Sequence, residues 1–182
     1  MQQFTEQAIL TTFQEMLREM PFDKVTVTEL VRRCEISPNT FYYHFQDVYD
    51  LLDRYLVLRL EPYVKSADRH WSVSAKALLR ACREEKSLVY HIFNSISRER
   101  LEQQVFSGTY DVFYQNLRTR PESRGASDEV VHELADYCCF AFLGFFLRFL
   151  WNHMEADIDA SVEKLSALTE PFVQNTLREY KT

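Results

Sequence analysis

Three observations predict an all-α fold. Glycine and proline number three and five among 182 residues, too few turn formers for a sandwich, a barrel or a phosphate-cradling glycine loop. Apolar residues recur at spacings of three and four along most of the chain, the period of an amphipathic helix. Hydroxyl and carboxylate residues stand where those stripes begin, as helix caps do. With 46% hydrophobic and 26% charged residues, the chain has the composition of a folded domain.

The first helix is read from Ile9, Phe13, Met16, Leu17 and Met20, with Thr5 as its N-cap and Pro21 as its end. Thr26-Val27-Thr28-Glu29 is a T-x-x-E capping box opening a short second helix, about 27 to 34. Ser37-Pro38 then puts a hydroxyl at the cap and proline at the first helical position, so a third helix follows after a tight turn. Asp47 caps a fourth helix carrying Leu51, Leu52, Tyr55 and Leu56, which Pro62 kinks or closes. Beyond the polar stretch Lys65 to Ser72, helices are expected over about 73 to 85, from a Ser87 cap through Ile96, and from Ser97 to Leu117. The loop Pro121 to Ser127 leads to two long segments, Asp128 to about Ala156 and Ala160 to Tyr180, the second kinked or divided at Pro171.

Tyr137 to Trp151 is apolar on every face apart from Arg148. It is shorter than the roughly 18 residues of a membrane span, so a helix buried on all sides is expected and no membrane partner. The start of the chain lacks the charged and apolar regions of a signal peptide, which favours a cytoplasmic location. Cys34, Cys82, Cys138 and Cys139 show no metal or disulfide spacing, and free thiols are expected.

Net charge is −6, so bulk charge does not advertise nucleic-acid binding and any such role must be local. Thr26 to Phe45 supplies it. The two short helices joined by a tight turn have helix-turn-helix spacing, with Leu30, Val31, Cys34, Ile36, Phe41 and Phe45 holding them together and polar residues left outside.

From about Ala8 to Leu52 the sequence resembles the tetracycline-repressor (TetR) family of bacterial transcription regulators. Val27 to Leu30, Ile36-Ser37, Thr40-Phe41-Tyr42-Tyr43-His44-Phe45 and Leu51 carry the resemblance. It implies an N-terminal three-helix DNA-binding domain, here 1–52. A larger helical domain, here 53–182, would dimerise through its last two helices and often hold an effector. Trp151 to Leu165 is similar to the end of some such regulatory domains. Two positions depart from the family pattern: Glu35 stands where glycine is usual at the turn, and Val48 where a lysine usually meets phosphate. Residues 1–46 also hold six acidic residues against four basic ones, which lowers the expected affinity for DNA.

The expected function is a one-component bacterial regulator, a repressor, binding a palindromic operator on double-stranded DNA as a homodimer. Thr26 and Ser37 are expected on phosphate through capping hydroxyls. Asn39, Thr40 and Tyr43 are candidates for bases or sugar-phosphate, and Tyr42 and His44 for phosphate, although either tyrosine competes as a packing residue. An apolar or aromatic effector is expected among residues 73 to 151, with Tyr90, His91, Phe106, Tyr110, Phe113, Tyr137 and Arg148 as candidate contacts, although aromatic stripes more often pack a core. The alternative is a regulator switched by, or acting through, a protein partner. His132, Asp136 and Cys139 share a helix face but lack a ligand set, so no metal and no cofactor are expected. No nucleophile elbow, phosphate loop or carboxylate pair points to an enzyme. Ala141 and Gly144, one turn apart, suggest a close helix crossing, since a mid-helix glycine otherwise costs about 1 kcal/mol.

Overall fold

The computed structural model describes residues 2–64 and 70–180, so most of the polar stretch expected at Lys65 to Ser72 lies outside the described residues. Among the described residues the chain is 82% helical without strands. Nine α-helices follow in order: α1 Gln2–Glu19, α2 Val27–Arg33, α3 Pro38–His44, α4 Val48–Val64, α5 Trp71–Glu84, α6 Lys86–Phe93, α7 Arg98–Arg118, α8 Asp128–Trp151 and α9 Ile158–Glu179. Two 3-10 turns, Phe22–Lys24 and Pro121–Ser123, complete the set.

The chain forms two compact units, one of residues 1–59 and 84–101, the other of 60–83 and 102–182. In the first, Ile9, Phe13 and Leu17 of α1 meet Leu30 of α2, Phe41 of α3 and Leu51, Leu52 and Tyr55 of α4 in one buried cluster. Leu88 and Ile92 of α6 complete that cluster. Burying each such side chain is worth about 1.5–3 kcal/mol. Two polar contacts fix α6 to α1. Arg18 pairs with Glu85, its Nε 3.1 Å from Oε2. His91 Nδ1 lies 2.7 Å from the Leu17 carbonyl, which can only accept, so Nδ1 carries the proton.

In the second unit Trp71 of α5, Phe113 of α7 and Phe142 of α8 pack in series, with ring centroids 5.5 and 6.1 Å apart. Arg80 holds Asp159 and Lys76 holds Glu163, tying α5 to α9, while Arg120, two residues past α7 and bonded back to its Asn116, pairs with Glu170 of α9 at 2.6 Å. Helix α8 alone is long and apolar enough among the described residues to cross a membrane, and half of its apolar window is buried in the chain, as in a core helix.

Several caps follow the sequence. Asp47 Oδ1 accepts from the backbone N–H groups of Tyr49 and Asp50 at 2.7 and 2.9 Å, and Ser97 Oγ from that of Arg100. Others do not. Helix α1 begins at Gln2, ahead of Thr5, and α6 begins after Glu85 without a side-chain cap, so Ser87 lies inside it. Pro171 does not divide α9, and Pro62 lies within the last turn of α4.

Helix α8 stops at Trp151, five residues before the expected Ala156. His153 and Met154 take positive φ, 54° and 59°, and their N–H groups return to the carbonyls of Leu150 and Phe149, closing the helix with a Schellman motif. Nor is α8 covered on every side: Tyr137, Phe140, Gly144, Arg148 and Trp151 line an exposed stripe. A side chain at Gly144 would meet no atom of the chain within 4 Å, so no crossing within the subunit explains that glycine. The close approach is at Gly108 of α7, where a Cβ would lie 2.6 Å from Leu60 Cδ1 of α4.

Candidate nucleic-acid interface

The turn between α2 and α3 is built on a backbone conformation that ordinarily selects glycine. Glu35 has φ 54°; its N–H reaches the Arg32 carbonyl at 3.3 Å and the Ile36 N–H reaches that of Val31 at 3.1 Å. These are the two bonds of a Schellman closure, so α2 ends as it would with glycine, at a local strain cost.

Across that turn Ser37 Oγ accepts from the Thr40 N–H at 3.1 Å and lies 2.8 Å from Thr40 Oγ1, while Pro38 occupies the first helical position. Thr26 Oγ1 accepts from the Glu29 N–H at 3.2 Å. A hydroxyl that accepts from a helix end keeps its own proton to donate, so such caps also suit a phosphate. The capping box is only half formed, because the Glu29 carboxylate turns to Arg32 and Arg33.

Phe41 is the buried anchor of α3 and sets its outward face. Tyr42 and Tyr43 are 57% and 69% exposed, too open for packing residues. Tyr42 stands edge-on to Phe41 with centroids 5.4 Å apart, and Tyr43 edge-on to His44 at 5.2 Å. Asn39 is exposed, whereas Thr40 and His44 are half-buried. Thus the seven predicted residues lie at the two helix starts and along one short helix.

The electrostatics oppose a purely charge-driven interface. Arg18, Lys24, Arg32, Arg33 and Arg54 each face a carboxylate, on Glu85, Asp23, Glu29, Glu19 with Glu29, and Glu6. Hydrogen bonds from Arg32 and then Arg33 hold the Glu29 carboxyl down at about 2. Val48, where a phosphate-binding lysine is usual in the resembled family, is half-buried against the core.

The predicted effector contacts are dispersed. A partly open cavity of about 30 Å³ in the second unit is lined by Leu60, Tyr63, Trp71, Ser74, Ala75, Leu78, Gly108, Thr109, Val112, Phe113 and Phe142. Of the seven candidates, Phe113 is there. Phe106 and Tyr110 stack along α7 toward Tyr114, and Tyr110 Oη bonds His132 Nδ1. Tyr137 packs on Phe172, Arg148 is exposed, and Tyr90 and His91 belong to the first unit. Most of the lining is aliphatic or small, which a search for aromatic stripes does not find. Thr109 Oγ1 is already bonded to the Val105 carbonyl at 2.8 Å, so the cavity offers little polar grip.

The cysteines are free. Burial pushes the Cys138 and Cys139 thiols up to about 11 and about 12, which keeps them unreactive. No group of three or more metal-ligating side chains assembles among the described residues.

Residues 9–55 match the family model described as bacterial regulatory proteins, tetR family, and residues 69–171 match one described as a transcriptional regulator C-terminal region. Among solved structures, the dihydroxyacetone kinase operon activator DhaS is similar over 98% of each chain, with TM-score 0.62 and 16% identity. NalD of Pseudomonas aeruginosa, the secondary repressor of the MexAB-OprM multidrug efflux pump, is similar over 94% of this chain and 97% of its own, with TM-score 0.57 and 17% identity. At such identities the likeness concerns the fold. No curated protein gives a significant match.

Proposed function

Because this chain belongs to the tetR family of bacterial transcriptional regulators, we propose that it binds a palindromic operator as a homodimer and represses from it, under control of a small apolar effector. The observation that carries DNA binding is α3: a helix anchored by Phe41 that presents Asn39, Tyr42 and Tyr43 to solvent beside the capping hydroxyls of Thr26 and Ser37. Those hydroxyls, Tyr42 and His44 would hold phosphate and set register, while Asn39, Thr40 and Tyr43 would meet base edges or sugar-phosphate. Residues 1–52 would thus carry the DNA-contacting surface, with effector control and dimerisation in 53–182.

Dimerisation is supported by the exposed apolar stripe. Tyr137, Phe140 and Trp151 of α8 and Leu168 and Phe172 of α9 are exposed, and the Tyr137 and Phe172 rings, 4.6 Å apart, make one surface of the two helices. A second copy would cover it and would seat a helix in the open space at Gly144.

An effector would have to widen the cavity, which at about 30 Å³ does not hold an aromatic ring as it stands. Its apolar lining would select a small, largely apolar or aromatic molecule. Acting on a dimer, the effector would favour an arrangement in which two α3 helices no longer match major grooves about 34 Å apart. A protein partner would instead compete for the α8 and α9 surface assigned here to the second copy. Repression needs no surface beyond those named and is the sign NalD carries, whereas DhaS is an activator. Such a regulator would work in the cytoplasm, and no catalytic role is assigned to it.

Selection of binding sites from a random duplex library tests the proposal. The expected outcome is an enriched palindrome bound by two subunits. A library without enriched sequences after repeated rounds overturns it.

A further inference from the structure

Arg100 stands in the first turn of α7, where a cation is disfavoured by the helix dipole, so its local helix does not account for its placement. Its partners lie on α4. Arg100 Nη2 donates to Asp53 Oδ2 at 2.6 Å and approaches the Tyr49 carbonyl at 3.4 Å. The guanidinium carbon sits 4.8 Å from the centroid of the Tyr49 ring, and that ring stands edge-on to the buried Phe22 at 5.0 Å. Arg100 Nε is buried without a hydrogen-bond partner. An arginine that leaves one donor unsatisfied to keep an ion pair and a ring contact is held by geometry as well as by charge.

The segment it grips joins the recognition helix to α4. Asp47 Oδ1 accepts from the N–H groups of Tyr49 and Asp50, and Asp50 Oδ2 accepts from the Gln46 N–H at 2.9 Å. Phe45, the C-cap of α3, returns its N–H to the Phe41 carbonyl at 3.0 Å. Hydrogen bonds therefore tie Tyr49 and Asp50 to Asp47, and Asp50 to Gln46, the residue next to the C-cap of α3. A shift of Tyr49 has no slack segment in which to be absorbed.

We propose that Arg100, about fifty residues beyond the helix-turn-helix, is a positioning residue for operator recognition, fixing the first turn of α4 and through it the orientation of α3. The role rests on the DNA-binding function proposed above. It is distinct from a phosphate contact, because the charge of Arg100 is spent on Asp53. It is also distinct from a general contribution to stability, because its contacts converge on one turn.

The test uses the full chain, the operator duplex recovered by selection, and a random duplex of equal length, titrated across salt concentrations. Arg100→Met keeps the apolar stem and removes the ion pair and the guanidinium over the Tyr49 ring. It is expected to weaken operator binding about tenfold, roughly one base contact's worth, while binding to the random duplex and the salt slope stay unchanged. Arg100→Lys, which keeps the charge but loses the planar guanidinium that lies over the Tyr49 ring, and Asp53→Asn are expected to fall between wild type and Arg100→Met. They carry the test if Arg100→Met does not fold. Equal losses on both duplexes overturn the positioning role in favour of stability alone. A salt slope lowered by about one phosphate per subunit overturns it in favour of direct contact. Unchanged discrimination in every variant overturns it outright. A wild-type chain that binds no duplex fails at an earlier step, removing the DNA-binding function and this role together.

Discussion

The Glu29 carboxylate receives Arg32 in a two-point fork, Nε on Oε2 at 2.8 Å and Nη2 on Oε1 at 2.6 Å. The same carboxylate takes Arg33 Nε at 2.9 Å, so one acid engages both arginines of α2. Pairing holds the Glu29 carboxyl at about 2, below its ordinary 4.5. A carboxyl depressed in the folded state contributes stability that is full above the unfolded value and is lost as pH falls toward the folded one. The contribution of Glu29 should therefore be intact at neutral pH and disappear between about 4.5 and 2. Glu85 and Asp159, also lowered by arginine partners, act in the same direction. Urea melts at pH 7 and pH 3 check this: Glu29→Gln should narrow the difference between the two midpoints. An unchanged difference would show that the pair contributes nothing to acid sensitivity.

Glu35 at φ 54° carries backbone strain that glycine would not. Glu35→Gly is expected to stabilise the chain by about 1 kcal/mol, the left-handed penalty less the added entropy of the unfolded chain. Glu35→Ala keeps the penalty and should give no such gain. Equal midpoints for the two variants would locate the cost elsewhere.

The helix starts at Thr26, Ser37 and Asp47 were legible because a cap is written in three or four consecutive residues, and so was the strain at Glu35 once its family position was seen. The end of α8 was not. It is closed by His153 and Met154 in a conformation that sequence assigns to glycine, and only the two returning hydrogen bonds reveal it. His91 looked like an orienting group for a ligand, yet its partner is the Leu17 carbonyl, 74 residues away in the chain. The cavity was invisible for the same reason: its lining comes from α4, α5, α7 and α8, and Gly108 matters only because Leu60 leans over it.

Val48 begins α4 half-buried against the core, at a position where the usual lysine would extend its charge to phosphate. Val48→Lys should tighten binding to all duplexes alike and steepen the salt dependence by about one phosphate per subunit. A positive charge in the first turn of α4 should cost about 0.3–1 kcal/mol of stability. A salt slope identical to wild type would show that this position does not face the backbone.

Phe140 is 63% exposed on α8, so its replacement leaves the subunit core intact. If the proposed dimer forms through this face, Phe140→Glu should dissociate it while the melting temperature of the isolated subunit barely changes, because a charge buried between two copies is costly. Sedimentation at micromolar concentration reads the result. Leu168→Glu on α9 should act likewise. A dimer that survives both substitutions uses another face.

Gly108 offers a direct test of the cavity, because the space its missing side chain leaves is filled by Leu60 Cδ1, 2.6 Å from where a Cβ would sit. Alanine is the better helix former by about 1 kcal/mol, and the group it displaces is the mobile end of a leucine, so Gly108→Ala should fold with little change in melting temperature. Leu60, itself a lining residue, must then turn away and reduce the cavity. Small aromatic compounds that raise the melting temperature of the wild type should lose that effect in Gly108→Ala, since the shift follows the ratio of ligand concentration to Kd. Leu60→Ala should deepen the same cavity at a cost of about 1–2 kcal/mol, less than for a fully buried leucine because Leu60 is half-buried. In the double variant the alanine at 108 has no leucine to displace, so compounds lost to Gly108→Ala should bind again. Recovery in the double variant would place the effector against Leu60 and Gly108. Shifts that are equal in all four proteins would mean that the compounds bind elsewhere, and the cavity would lose its claim as the effector site.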